Sequence, residues 1–250
     1  MNDTLVVVFC YNVEKNIKNL IIKLKKNKID LKRDILFIDD CSTDKTNKIL
    51  NSYKINNSII IKNKKNQGFG LNYKFSIKYS IKNKYKKVIF LHGDNQYPAN
   101  KVPLLDSLLE KVSLCYGSRR LNFKIMMKNM PKLRLFANLI LTIFINFILR
   151  NSASEYFSGF RGFRVNKLKK INLKNFDDKW VIEQQIHFYF IKKKYSISEF
   201  SIPTIYKKNQ ISNIPAFYYV LSVLINAFKF SYLKNFSERA DRKISDLNQY

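Results

Sequence analysis

The stretch Val88-Ile89-Phe90-Leu91-His92-Gly93-Asp94-Asn95-Gln96-Tyr97-Pro98 decides how the chain is read. Four apolar residues rich in β-formers run into a polar cluster, and a proline closes it. This pattern predicts a buried strand with acids and amides at its C-terminal tip. In open α/β sheets, ligands sit outside the carboxyl ends of the strands. Asp94 is a hard oxygen donor, Gln96 is a second one two residues on, and His92 offers a ring nitrogen or a hydrogen bond. Such a tip can hold a divalent cation, and the cation a diphosphate. A plainer reading stays open at this point: a strand-to-turn junction where Asp94 and Asn95 only cap and turn the chain.

Working outward, the upstream sequence alternates strand and helix. Leu5 to Phe9 is a β-branched run short enough for a buried parallel strand. Ile17, Leu20, Ile21 and Leu24 then recur at helical spacing. Asp34 to Asp40 reads as a second strand ending in paired carboxylates, with Ser42 or Thr43 expected to cap the helix that follows. Ile59 to Ile61 is a third short strand, and Asn66-Gln67-Gly68-Phe69-Gly70 is a glycine turn before another helix, which runs to about Ser80. The expected fold is α/β, with a mostly parallel, doubly wound sheet flanked by helices. Such a sheet brings Tyr11-Asn12, Asp39-Asp40 and His92 to Gln96 to one edge. A dinucleotide-binding fold needs a glycine-rich turn after the first strand, and Phe9 to Val13 contains no glycine.

With 250 residues, 46% of them apolar, the chain can bury one large core. Its net charge of +28 points to nucleic acid, an anionic membrane face or anionic small substrates. The lysines are scattered and no nucleic-acid motif is visible, so no nucleic-acid partner is expected. Cys10, Cys41 and Cys115 are odd in number and widely spaced, which predicts free thiols in a reduced compartment. Met1 to Thr4 leads straight into a strand with no signal peptide, so the expected location is cytoplasmic.

Five elements in order resemble a family 2 glycosyltransferase of the GT-A fold, with the polyprenyl- or dolichyl-phosphate sugar synthases as the nearest branch. They are the first strand ending in Tyr11-Asn12, the run Ile38-Asp39-Asp40 to Thr46, the Asn66 to Gly70 turn, the His92 to Gln96 tip, and the pair Tyr116-Gly117-Ser118-Arg119 with Glu155 to Arg161. The likeness spans roughly residues 5–212. It implies an inverting transfer from a nucleotide-diphosphate sugar, with Mg2+ or Mn2+ as cofactor. Tyr11, Asp39, Asp40 and Gly68 are then expected at the nucleotide, and Asp94, Gln96 and His92 at the metal. Arg119 would neutralise the donor's diphosphate and form the catalytic set with Asp94 and Glu155, Arg161 would bind the nucleotide sugar, and Arg161, Lys207 and Lys208 the acceptor. Glu155 would stand near the reacting carbon as a candidate base if the acceptor is a hydroxyl. One subgroup writes the metal tip as HGDGQ, which accommodates His92. Val13 and Ile205 depart from the family pattern.

Beyond the tip, Leu121 to Pro131 reads as a mobile loop. Residues 133–149 form an apolar run near the lower limit of a membrane span, and Arg134, Asn138 and Asn146 interrupt it. A helix lying on the bilayer surface and an ordinary helix covering the sheet are both open. Glu183 and Gln184 read as the solvated side of a helix, although the resemblance also makes Glu183 a site candidate near the sugar; His187 reads as a satisfied helix histidine, and Tyr195 to Ile205 as a strand returning to the sheet. The organisation expected is a catalytic domain over residues 1–212, then an apolar helix and polar tail over 213–250. The expected acceptor is a polyprenyl phosphate or other envelope glycan, reached from the inner face of an anionic membrane. Two alternatives are a non-catalytic nucleotide-sugar-binding relative and a basic nucleic-acid binder.

Overall fold

The computed structural model describes residues 2–205 and 216–232. Seven strands form one sheet: β1 (Thr4–Cys10), β2 (Asp34–Asp39), β3 (Ser58–Lys62), β4 (Lys87–His92), β5 (Leu114–Ser118), β6 (Arg161–Arg164) and β7 (Ile197–Ser201). Ten α-helices accompany them: α1 (Glu14–Lys26), α2 (Ile29–Lys32), α3 (Thr46–Ser52), α4 (Phe69–Lys82), α5 (Val102–Leu108), α6 (Phe123–Asn129), α7 (Lys132–Leu149), α8 (Val165–Leu168), α9 (Ile182–Lys192) and α10 (Ala216–Tyr232). The strand order is β3-β2-β1-β4-β6-β5-β7. Neighbours pair in parallel except β6, which runs antiparallel between β4 and β5. The expected mostly parallel α/β architecture is therefore present, and the strand read at Tyr195 to Ile205 returns to the sheet at its edge.

The sheet has two apolar faces. Val6, Val8, Ile35, Phe37, Ile89 and Leu91 pack with Ile17, Leu20, Ile21 and Leu24 of α1 on one of them. Val7, Leu36, Val88 and Phe90 pack with α4, α9 and the inner side of α7 on the other, where Val223, Ala227 and Phe230 of α10 join the same cluster. Alternate residues of each strand feed opposite faces, so both must be apolar. That is why the central strands read as unbroken hydrophobic runs.

Three local expectations are corrected. Neither Ser42 nor Thr43 caps α3. The helix starts later, at Thr46, whose N–H is taken by Asp44 Oδ1 at 2.9 Å. The segment 121–131 is not a loop: α6 occupies most of it and buries Met126. Glu183 and Gln184 are not solvated, because α9 is buried on every side from Ile182 to Phe190. The spacing showed one apolar stripe, but sheet, α10 and the segment before β6 surround the helix.

At the strand N-termini, opposite the ligand edge, Asp106 forms the hub of an ion network. Its carboxylate takes Lys87 Nζ at 2.7 Å, Thr4 Oγ1 at 2.7 Å and Arg33 Nη2 at 2.7 Å. Burial raises its pKa, but the bonds from Lys87 and Thr4 and the Arg33 charge outweigh that and hold it below the ordinary value. A depressed folded pKa gives stability that is full above the unfolded value of ~3.9 and is lost as pH falls through the folded one. Asp106→Asn is expected to cost about 2–3 kcal/mol at neutral pH. Urea unfolding should show the deficit shrinking below roughly pH 4, and an equal deficit at both pH values would contradict this account.

Candidate active site

The C-terminal tips of β1, β2, β4 and β5 open on one edge, and β6, running backwards, begins there. The first two tips are laced together. Asn12 N–H donates to Ser42 Oγ at 3.0 Å, Thr43 N–H to Asn12 Oδ1 at 2.9 Å, Val13 N–H to Thr46 Oγ1 at 2.8 Å, and Glu14 N–H to Asp44 Oδ2 at 3.0 Å. The polar residues of these turns satisfy each other's backbone, which fixes the rim before any ligand arrives.

Each expected site residue has a definite place. Tyr11 is exposed at the β1 tip. Asp39 is fully buried: Oδ1 accepts the Ser42 N–H at 3.0 Å, and Oδ2 has no hydrogen-bond partner. Asp40 organises the glycine turn. Its carboxylate takes Gln67 N–H at 2.7 Å, Gly68 N–H at 2.9 Å and Asn63 Nδ2 at 2.8 Å. Gly68 holds φ +85°, a region closed to most side chains, and this lets its N–H reach Asp40. Asp94 Oδ1 closes the tip by accepting the Gln96 N–H at 3.1 Å.

Electrostatics place Asp94 with the other acids. Burial, then Asp39, Asp94 and Asp44 in turn, push the Cys10 thiol well above its usual range, so all three carboxylates act on the β1 tip. Tyr97 is raised chiefly by burial, and both Arg119 and Asp94 act on it. Asp39 ends β2, and Asp94 and Arg119 follow the ends of β4 and β5, so all three lie along one edge of the sheet. Among the described residues no three His, Cys, Asp or Glu side chains form a metal-binding group. The donor set suits an ion held by one carboxylate and completed by phosphate oxygens and water, the usual habit of Mg2+.

The structure departs from the expected role at Arg161, commits Glu155 to an ion pair and gives His92 a definite setting. His92 packs among aromatic rings. Its ring lies edge-on to Phe9, Phe69 and Tyr97, and its buried Nε2 faces the Cα of Gly159. Arg161 is turned away from donor and acceptor, because its guanidinium is buried and committed to groups inside the fold. Its guanidinium donates to Ser158 O at 2.6 Å, to Glu183 O at 3.0 Å and to Tyr156 O, and lies 3.2 Å from His187 Nδ1. Burial and Arg161 together lower the His187 pKa, leaving a neutral ring whose Nδ1 can accept. Glu155 is engaged by Arg119 through the backbone N–H at 2.8 Å, Nε at 2.8 Å and Nη2. It therefore orients the arginine. Lys207 and Lys208 lie outside the described residues.

Tyr97 and Asn63, which the spacing did not single out as site residues, and Glu183, which the resemblance did, also lie by this edge. Tyr97 Oη accepts the Gly159 N–H at 2.7 Å. Asn63 bridges Asp40 and Asn72. Glu183 is buried with Oε1 unpartnered, and burial raises its pKa against the opposing charges of Arg161 and His92. The acidic tip and the Tyr that ends it were the available signal for Tyr97. The others become neighbours only through long-range packing.

The pattern described as Glycosyl transferase family 2 matches residues 5–172. An uncharacterized protein of Methanocaldococcus jannaschii is 29% identical over 240 residues, covering 91% of this chain and 99% of that protein. Glucosyl-3-phosphoglycerate synthase from Mycobacterium tuberculosis, solved with Mn2+, UDP and glucosyl-3-phosphoglycerate, superposes with a TM-score of 0.66 at 13% identity, covering 91% of this chain and 79% of that one. TarS from S. aureus in complex with UDP-GlcNAc gives 0.57 at 18% identity, covering 94% and 68%. At these identities the two solved structures bear on the fold.

The glycine turn depends on one close approach. A Cβ on Gly70 would lie 2.3 Å from the backbone carbon of Asp178. Gly70→Ala should therefore part α4 from the segment before α9 and cost about 1–3 kcal/mol. A thermal melt checks this, and an unchanged midpoint would contradict it.

Proposed function

The chain belongs to glycosyl transferase family 2 and is a glycosyltransferase, and from that premise we propose that it moves a sugar from a nucleoside-diphosphate sugar to a polyprenyl phosphate. The observation that carries the donor reading is the placement of Asp39, Asp94 and Arg119 at the ends of β2, β4 and β5 on one sheet edge, with a buried Asp39 oxygen lacking any donor. A buried acceptor without a partner favours a ligand that brings an N–H or O–H to it. In this reading Tyr11 and Asp39 face the nucleoside, while Asp40 and Gly68 hold the turn beside it. Asp94, with Gln96 alongside, holds Mg2+ or Mn2+, which when bound offsets the charge on the departing diphosphate. Arg119 adds fixed positive charge at the same place.

The phosphate acceptor is favoured over a glycan hydroxyl by the state of Glu155. A hydroxyl nucleophile needs a base, and Glu155 is committed to Arg119. A phosphate is already ionised and needs none. Glu155→Gln keeps the acceptor for the Arg119 guanidinium but sets its NH2 against the Arg119 N–H, and should lower turnover about tenfold with the pH–rate profile unmoved. A loss of ~10³ with the acid limb erased would instead make Glu155 the base and favour a hydroxyl acceptor.

Asp94→Ala should abolish transfer from radiolabelled UDP- or GDP-sugars with Mg2+ or Mn2+ added. Full activity in that variant would remove the donor site proposed here. Failure of every sugar donor with the intact chain, alongside metal-independent nucleotide binding, would select the non-catalytic alternative.

The acceptor reading brings the protein to the cytoplasmic face of the cell membrane. Among the described residues α7 alone is long and apolar enough to cross a bilayer, but Leu141, Thr142, Ile145 and Ile148 are buried along one side of it. Its other side exposes Leu133 (83%), Phe144 and Phe147 (82%), with exposed Lys132 and Arg134 at its start. α10, tied to α7 by Ser231 Oγ to Ile148 O at 2.9 Å, exposes Phe217, Tyr218 and Tyr232. One packed side and one bare aromatic side suit a helix lying in the headgroup layer. The net charge of +28 supports anionic lipid as the surface, at ~1 kcal/mol per basic residue close to it. Sedimentation with anionic vesicles should capture the wild-type chain, and Phe144→Asp with Phe147→Asp should weaken capture at least about tenfold. Equal recovery of both proteins would refute the placement.

A further inference from the structure

Glu199 lies on the edge strand β7, opposite Tyr116 of β5 in the parallel register. Its carboxylate accepts Tyr116 Oη at 2.9 Å, the Ser154 N–H at 3.3 Å and the Ser154 hydroxyl. Ser154 Oγ also lies 2.6 Å from Ser118 Oγ, and Ser118 Oγ takes the Arg120 N–H at 3.2 Å. Arg120 Nη1 returns to Ser154 O at 3.3 Å. Ser154 is followed by Glu155 and Ser118 by Arg119, and these two form an ion pair.

The chemistry of the donors fixes the direction of the chain. An ionised carboxylate only accepts, so Ser154 must give its single hydroxyl proton to Glu199. Ser118 must then donate to Ser154 and is left to accept from Arg120 N–H. One acid on the sheet edge thus sets the polarity of two hydroxyls and pins the 154–155 segment to the end of β5. We propose that Glu199 is a positioning residue for the glycosyl transfer, acting through Ser154 and Glu155 to hold Arg119 at the diphosphate. This rests on the donor reading given above.

Glutamine is a poor substitute even though it has the same shape. With its oxygen toward the hydroxyls, its NH2 meets the Ser154 N–H, donor against donor. With its nitrogen toward them, the Tyr116 and Ser154 hydroxyls, which both give their protons to this oxygen, lose their acceptor. A role in packing alone predicts that Glu199→Gln is silent.

The test is a double-mutant cycle on affinity for Mn2+ with inorganic pyrophosphate, the part common to every nucleoside diphosphate, measured by calorimetry on the full chain. Arg119→Ala and Glu199→Gln should each weaken binding about tenfold or more. Glu199→Gln made in the Arg119→Ala background should add less than about twofold. Ser154→Ala, which removes only the linking hydroxyl, should reproduce the coupling and stands in if Glu199→Gln does not fold. Equal losses from Glu199→Gln in both backgrounds would overturn the positioning role and leave the donor site standing. No loss in Arg119→Ala itself would remove the diphosphate role of the arginine, and the positioning role with it.

Discussion

A guanidinium with no access to solvent organises the ligand edge. Arg161 opens β6, and its charge is met mainly by backbone carbonyls from Tyr156, Ser158 and Glu183. A cation can be buried at tolerable cost only when its donors are satisfied. The segment before β6 and the first turn of α9 must therefore be in place together. Once they are, Gly159 is pressed against His92, Tyr97 receives the Gly159 N–H, and Ser154 and Glu155 reach the end of β5. The active rim is in this sense built on the interior charge beneath it.

The acids of this edge divide into those that brace the turns and one, Asp39, with an oxygen to spare. Asp40 and Asp44 spend their oxygens on backbone N–H groups of adjoining turns. Asp39 keeps one buried oxygen without a donor. Paired residues of the same type thus do different work, and which does which depends on the turn that folds against each. The ion pair of Arg119 with Glu155 has a similar logic. It lowers the net charge at the rim but fixes the direction of the guanidinium, which a flexible arginine would otherwise have to find on binding.

Much of this was legible in the sequence. The unbroken apolar runs at Val6 to Val8, Leu36 to Ile38 and Val88 to Leu91 located strands covered on both faces, and the polar residues that end them located the edge. What the sequence did not disclose were directions of side chains after long-range packing. Arg161 sits in a motif beside the site, and only the antiparallel entry of β6 turns it inward. His92 stands two residues from Asp94, yet its ring falls among the aromatic residues of one face. Glu183 looked exposed because α9 carries polar residues at intervals, and the neighbours that bury it come from distant parts of the chain. Asp40 gave no sign of its work in the glycine turn, because its partners lie more than twenty residues downstream.

The bare aromatic sides of α7 and α10 also govern how the molecule behaves away from any lipid. In plain buffer these rings face water, and the dense positive charge is what keeps one molecule from adhering to the next. Sulfate acts on both at once: it screens the repulsion and strengthens apolar association. The same salts that quiet many proteins would therefore drive this one to cluster through those two helices. A mild detergent that coats the rings would keep it dispersed.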